Sequence, residues 1–296
     1  MLPTTPTVAV LLAVVSFVLL GLWPSVFGLS RRRFELFYAD FTVGALLCSA
    51  VAAYTFGSVG SDLGVSDRML LAGMRQQGFV FAAGFVFNIG NLLLVAAIPL
   101  LGARVAFPLS VGVGLAVFSV LVGHAWIVLP LAAGLALIAV GFLLNRRPSR
   151  KGMIVAAAAG LCLGLAFPLV NGTMTGDIGL GPYAETLLIC IGGTLSTLIA
   201  IVYFVNIAID GKPVPLKTYI RSPWRPHLWG VAGGAMWTLG ILCACLAIAG
   251  WNSLKPGLAA IMAVAATLVA IGLAGRATMK THESESRAAA RAHSDH

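Results

Sequence analysis

Charge is scarce in this sequence. Only 10% of its 296 residues are Asp, Glu, Lys or Arg, and 59% are hydrophobic. Soluble chains average roughly a quarter charged. A soluble domain must clothe its surface in polar groups, and a chain of mean hydropathy +0.97 has too few to do so. The solvent that fits is the bilayer. Cysteine is sparse too. Cys48, Cys162, Cys190, Cys243 and Cys245 lie in apolar runs, without zinc or redox spacing, and read as small buried hydrophobes. No Gly-x4-Gly-Lys-Ser/Thr occurs, which argues against ATP use. Gly112-Val113-Gly114 lacks the strand and third glycine of a dinucleotide fingerprint. With no catalytic dyad, His-box or metal motif in view, neither an enzyme nor a cofactor is expected.

What is present is a series of long uncharged runs: 1–30, 41–61, 76–103, 105–145, 152–176, 186–209, 226–254 and 256–275. About 20 residues cross a bilayer. The 41-residue run 105–145 would make a helix of about 60 Å, twice the hydrocarbon core. It must fold back, with Gly123-His124 as the natural bend. The expectation is an all-α integral membrane protein of about nine transmembrane helices. The run Val8–Leu29 is followed, not preceded, by Arg31-Arg32-Arg33, opposite to a signal peptide, and reads as a permanent span.

The net charge is +9, yet the basic residues sit in short clusters between runs, as topology determinants do. Nucleic acid is therefore not an expected partner. With the N-terminus outside, the outer loops hold only Arg68, Arg75 and Lys255 of the 19 Lys and Arg. The positive-inside rule then predicts a multi-pass protein of the cell membrane, N-terminus outside and C-terminus cytoplasmic. The polar tail 276–296 reads as disordered, and its three histidines as solvated.

The two halves of the sequence echo each other. Gly21-Leu22-Trp23-Pro24, with Tyr38-Ala39-Asp40 beyond it, is echoed by Gly164-Leu165-Ala166-Phe167-Pro168 and Tyr183-Ala184-Glu185. Asn88-Ile89-Gly90-Asn91-Leu92 is echoed by Thr238-Leu239-Gly240-Ile241-Leu242. Five spans per half would invert the second half against the first, as in secondary transporters. The expected division is a first repeat over 1–145, an incomplete second repeat over 146–275 and the tail. Only Trp251–Gly257 precedes the last span, so one helix of a five-plus-five design is missing or shortened. A homodimer that supplies it stays open.

Gly-x-Trp-Pro, then Phe34-Glu35-Leu36-Phe37-Tyr38-x-Asp40-Phe41, then Gly90-Asn91-Leu92, resembles the drug/metabolite transporter superfamily, and within it the ureide-permease and sugar-uptake branch. The resemblance covers roughly residues 8–250. It implies ten helices in two inverted halves, alternating access, and a small polar cargo such as a ureide, nucleobase or sugar, often moved with protons.

Few polar residues lie at membrane depth, where they are costly. Asp40 and Glu185 are candidates for coupling or substrate contact; the alternative is that both snorkel or cap a helix at the interface. Asn88 and Asn91 share one helix face and suit a polar solute; they equally suit interhelical hydrogen bonds. Trp237 could stack on a flat solute, with Thr238, Asn171 and Trp23 beside the same expected site. Pro24 and Pro168 are expected as paired helix breaks pointing to a midplane site. Tyr38 and Tyr183 read as interfacial belt residues. The expected function is secondary, proton-coupled transport of a small polar metabolite. Export of drugs, and a degenerate non-transporting membrane protein, are the alternatives.

Overall fold

The computed structural model describes residues 5–30, 33–59, 63–122, 128–144, 149–170, 172–174, 178–206, 219 and 221–250. Among them are eight helices: α1 (Pro6–Ser30), α2 (Phe34–Tyr54), α3 (Val65–Leu101), α4 (Ala103–Val122), α5 (Val128–Leu144), α6 (Arg150–Val170), α7 (Gly181–Asn206) and α8 (Trp224–Gly250). Seven are long and apolar enough to cross a bilayer, and α5 is a shorter apolar helix. The chain is an all-α membrane protein. The expected ninth span at 256–275, the tail, Asn171 and the Gly123-His124 bend lie outside the described residues. The fold-back itself is present, because the long apolar run divides into α4 and α5.

Several helices begin before their uncharged runs do. α2 takes in Glu35 and Asp40, and α7 takes in Glu185. α3 has 37 residues, about 55 Å of helix, and resolves its excess length by kinking. Gly73 sits at φ 71, ψ 163, which glycine adopts without a Cβ clash. Leu70 and Met74, around the kink, are exposed. Neither paired proline breaks its helix, contrary to expectation. α1 continues for six residues past Pro24, and α6 for two past Pro168. Each proline leaves the carbonyl four residues before it without its helical donor, yet the helical backbone runs on past it.

α1 packs on α8 as α6 packs on α3, and α2 packs on α8 as α7 packs on α3. α2 and α7 meet between these pairs, while α4 packs on α5 and α6. Exchanging α1 with α6, α2 with α7 and α3 with α8 therefore maps the packing pairs of these six helices onto one another. Glycines fix the register of the two equivalent seams. A β-carbon at Gly44 would collide with the Val231 carbonyl, and one at Gly234 with the Phe41 carbonyl. In the other seam, Gly192 meets the Phe81 carbonyl and Gly84 the Ile189 carbonyl. Small residues let helix backbones touch, and here they do so at matching places. The match holds at an offset of 148 residues between α2 and α7, and 150 between α3 and α8.

That register corrects one expectation. Glu185 falls in the place of Phe37, and Asp40 in the place of Leu188. The two carboxylates are not equivalent. The sequence echo Tyr38-Ala39-Asp40 against Tyr183-Ala184-Glu185 is displaced by three residues. Three residues are close to one turn of 3.6, so the displaced match keeps nearly the same helix face.

Candidate functional site

The polar residues of α2, α3 and α7 converge where the two seams meet. Tyr38 is fully buried, not an interfacial belt residue. Its hydroxyl donates to Asn88 Oδ1 at 2.8 Å and accepts from Asn91 Nδ2 at 3.2 Å. Asn88 Nδ2 in turn reaches the Gly193 carbonyl, Ser196 Oγ and Thr197 Oγ1 at 2.9, 2.7 and 2.7 Å. Thr197 Oγ1 meets Thr42 Oγ1 at 2.9 Å. A buried amide without partners is costly, and Asn88 answers this by tying α3 to both α2 and α7. In this conformation its capacity is spent on the bundle. Thr238 is likewise buried; its hydroxyl donates to the Ala45 carbonyl at 3.2 Å and lies 3.8 Å from Cys190 Sγ.

Beside this network runs a file of aromatic rings. Phe27, Phe37, Phe41, Trp237, Phe87, Phe167 and Phe118 follow one another at centroid spacings of 5.1, 6.1, 5.7, 5.8, 6.1 and 5.5 Å. Trp23 packs on Phe41 at 5.1 Å and on Phe107 at 6.4 Å. The step of the file from Trp237 to Phe87 joins two residues that the seam register makes equivalent. Both lie near the middle of their helices.

Asp40 lies apart from this centre, toward the end of the bundle that carries Arg33, Arg104, Arg150, Lys151, Arg221 and Arg225. It is 4% exposed, so it neither snorkels nor caps. Its Oδ1 accepts from the Tyr219 hydroxyl at 2.5 Å, and His227 Nδ1 stands 2.9 and 3.0 Å from its two oxygens. The Tyr219 and His227 rings meet edge to face at 4.8 Å. Gly230 makes the room, since any β-carbon there would collide with that of Asp40. Sequence reasoning passed over His227 and Tyr219. The only signal was a histidine three residues before a glycine at a span start. Glu185 lies at the opposite end, 3% exposed, accepting from Thr173 Oγ1 at 3.3 Å. Asp40 and Glu185 are thus separated by the bundle, while Asn88, Asn91, Trp237, Thr238 and Trp23 gather in its middle. No group of three metal-ligating side chains occurs among the described residues.

No family model matches the chain, and no solved structure matches it. The chain is similar to Ureide permease 2 of Arabidopsis thaliana, 33% identical over 93 residues. That match covers 29% of this chain and 23% of the permease, so the chain spans less than a quarter of that relative's length.

Proposed function

We propose that this protein is a secondary transporter of a small polar metabolite. It works by alternating access between two inverted halves, with Asp40 as its coupling group. The observation that carries the reading is the pair of equivalent seams, α2–α8 and α7–α3, meeting at Phe87 and Trp237. Two equivalent seams running in opposite directions are what alternating access needs: one opens toward each side while a central site stays fixed. The similarity to a ureide permease supports a cargo of the ureide or nucleobase type, flat and rich in donors and acceptors. The resemblance to the drug/metabolite transporter superfamily supports the five-plus-five design. The positive-inside rule supports the basic end as the cytoplasmic one.

A second reading has an observation of its own. The rings around the bundle centre are apolar and aromatic, which suits export of a flat, lipophilic solute. Purified protein in detergent, melted against ureides, nucleobases, sugars and lipophilic cations, separates the two, because a ligand of the folded state raises Tm by mass action. A shift with ureides or nucleobases, followed by their uptake into proteoliposomes, is the expected result. A shift with lipophilic cations alone overturns polar cargo in favour of export. No shift with any compound overturns both and leaves a non-transporting protein.

A further inference from the structure

We propose that Asn91 is the specificity-determining residue of the central site: its Oδ1 accepts a hydrogen bond from the cargo, so that a flat solute is held there only if it offers an N–H at its edge. This deepens the transport reading and rests on it for its physiological role.

The direction of the polar network decides which atom of Asn91 is on offer. A backbone carbonyl can only accept, so Asn88 turns Nδ2 toward the Gly193 carbonyl, at 2.9 Å, and Oδ1 toward Tyr38. The Tyr38 hydroxyl has one proton. That proton is spent on Asn88, whose Oδ1 lies at 2.8 Å and whose backbone carbonyl lies at 3.4 Å. Toward Asn91 the Tyr38 oxygen can therefore only accept, and it takes a proton of Asn91 Nδ2 at 3.2 Å. The donor sense set at Gly193 thus passes through Asn88 and Tyr38 to Asn91. It holds Nδ2 toward the network and leaves Oδ1 on the other side of the amide.

The two asparagines therefore end in different states. The Asn88 amide is bonded through both of its polar atoms. Asn91 Oδ1 has no partner among the described residues, although Asn91 is only 4% exposed. Buried polar atoms are seldom left so. Nor is this oxygen shut away like Gln76 Oε1 and Ser110 Oγ, which are sealed in the protein without a partner; it keeps a surface that a solute can reach. Its neighbours suit a flat one. Phe87 lies one turn before Asn91 on α3 and packs on Trp237 at 5.8 Å, and Tyr38 stacks on Phe41 at 5.0 Å.

The other half has no such acceptor. By the seam register Tyr38, Asn88 and Asn91 match Thr186, Thr238 and Ile241. Thr186 turns its hydroxyl to the Pro182 carbonyl of its own helix at 2.7 Å, and Ile241 is apolar and packs on the hydrophobic core. The packing that both seams share is thus built without an amide at this place. An amide that the fold does not require, held in one orientation and bonded through Nδ2 alone, is equipped to read a donor.

Two measurements on the full-length protein in detergent test this. The first needs no ligand. Asn91→Leu, close to Asn in shape, is expected to melt with the wild type or above it, while Asn88→Leu strands its acceptors on α7 and melts several degrees lower. The second is equilibrium binding of uracil, hydantoin and xanthine, each paired with its fully N-methylated form, which keeps the ring and the carbonyls but has no N–H donor. The wild type is expected to bind the donor-bearing member at least about tenfold more tightly. Asn91→Leu is expected to lose that preference, which separates the lost hydrogen bond from the bulk of the methyl groups. The assignment is refuted if Asn91→Leu melts as low as Asn88→Leu, if the wild type binds both members of a pair alike, or if the preference survives in Asn91→Leu. A wild type that binds no member of any pair, yet carries another solute into proteoliposomes, refutes the assignment and leaves transport standing. Donor-selective binding that depends on Asn91, with no uptake of any solute, supports the assignment and refutes the transporter reading alone.

Discussion

Asp40 and Gly230 oppose each other across the α2–α8 seam so closely that no side chain at position 230 can coexist with the Asp40 β-carbon. Gly230→Ala should therefore push α8 away from α2 and pull His227 off the carboxylate. Overpacking of this kind costs about 1–3 kcal/mol. Gly78→Ala is the control, because nothing lies within 4 Å of a β-carbon there. Denaturation of the two variants in the same detergent should show a clear loss for the first and none for the second.

The two seams should respond alike to matched insults. Gly84→Leu and Gly234→Leu both drive a side chain into a backbone carbonyl, of Ile189 and of Phe41 respectively. Each should abolish a monodisperse peak in size-exclusion chromatography. A large difference between them would contradict the register drawn from the glycine contacts.

Asn88→Ala removes the donors that hold Gly193, Ser196 and Thr197. Interhelical hydrogen bonds in membrane proteins average about 0.6 kcal/mol, and stranded partners add to that. A loss of about 1–3 kcal/mol is expected. Ser196→Ala deletes a single partner and should cost less than half as much in the same melt.

Trp237 is 5% exposed and touches both Phe41 and Phe87. Trp237→Ala should cost about 3–5 kcal/mol through the cavity it leaves. Trp237→Phe keeps a ring in the file and should recover most of that stability. Differential scanning fluorimetry distinguishes the two.

The fold-back was legible because hydropathy and length alone decide it: 41 uncharged residues cannot make one span. The matching register of α3 and α8 was legible, because Asn88–Leu92 and Thr238–Leu242 align at the same 150-residue offset as the glycine contacts. It was misjudged in α2 and α7, because a shift of three residues preserves helix phase and the acidic triplets looked alike. Tyr38 looked interfacial because it opens a helix; only Asn88 and Asn91, 50 and 53 residues away, show why it is buried. The bond from Asp40 to His227 spans 187 residues, and no local pattern encodes a pairing at that distance. Asn88 suited two roles by composition, and its three acceptors on α7 show which of them it performs in this conformation.

The hinge between α3 and α4 is a single residue, Gly102, at φ 78 and ψ 149. So short an elbow leaves no slack. α4 must travel wherever the end of α3 goes, and it grips α5 and α6, while α6 also grips α3. α3, α4 and α6 thus close a loop of contacts on one another, and α5 is held on α4. Replacing Gly102 with a residue that resists positive φ would strain the elbow of that loop without touching the polar network, the aromatic file or the Asp40 cluster.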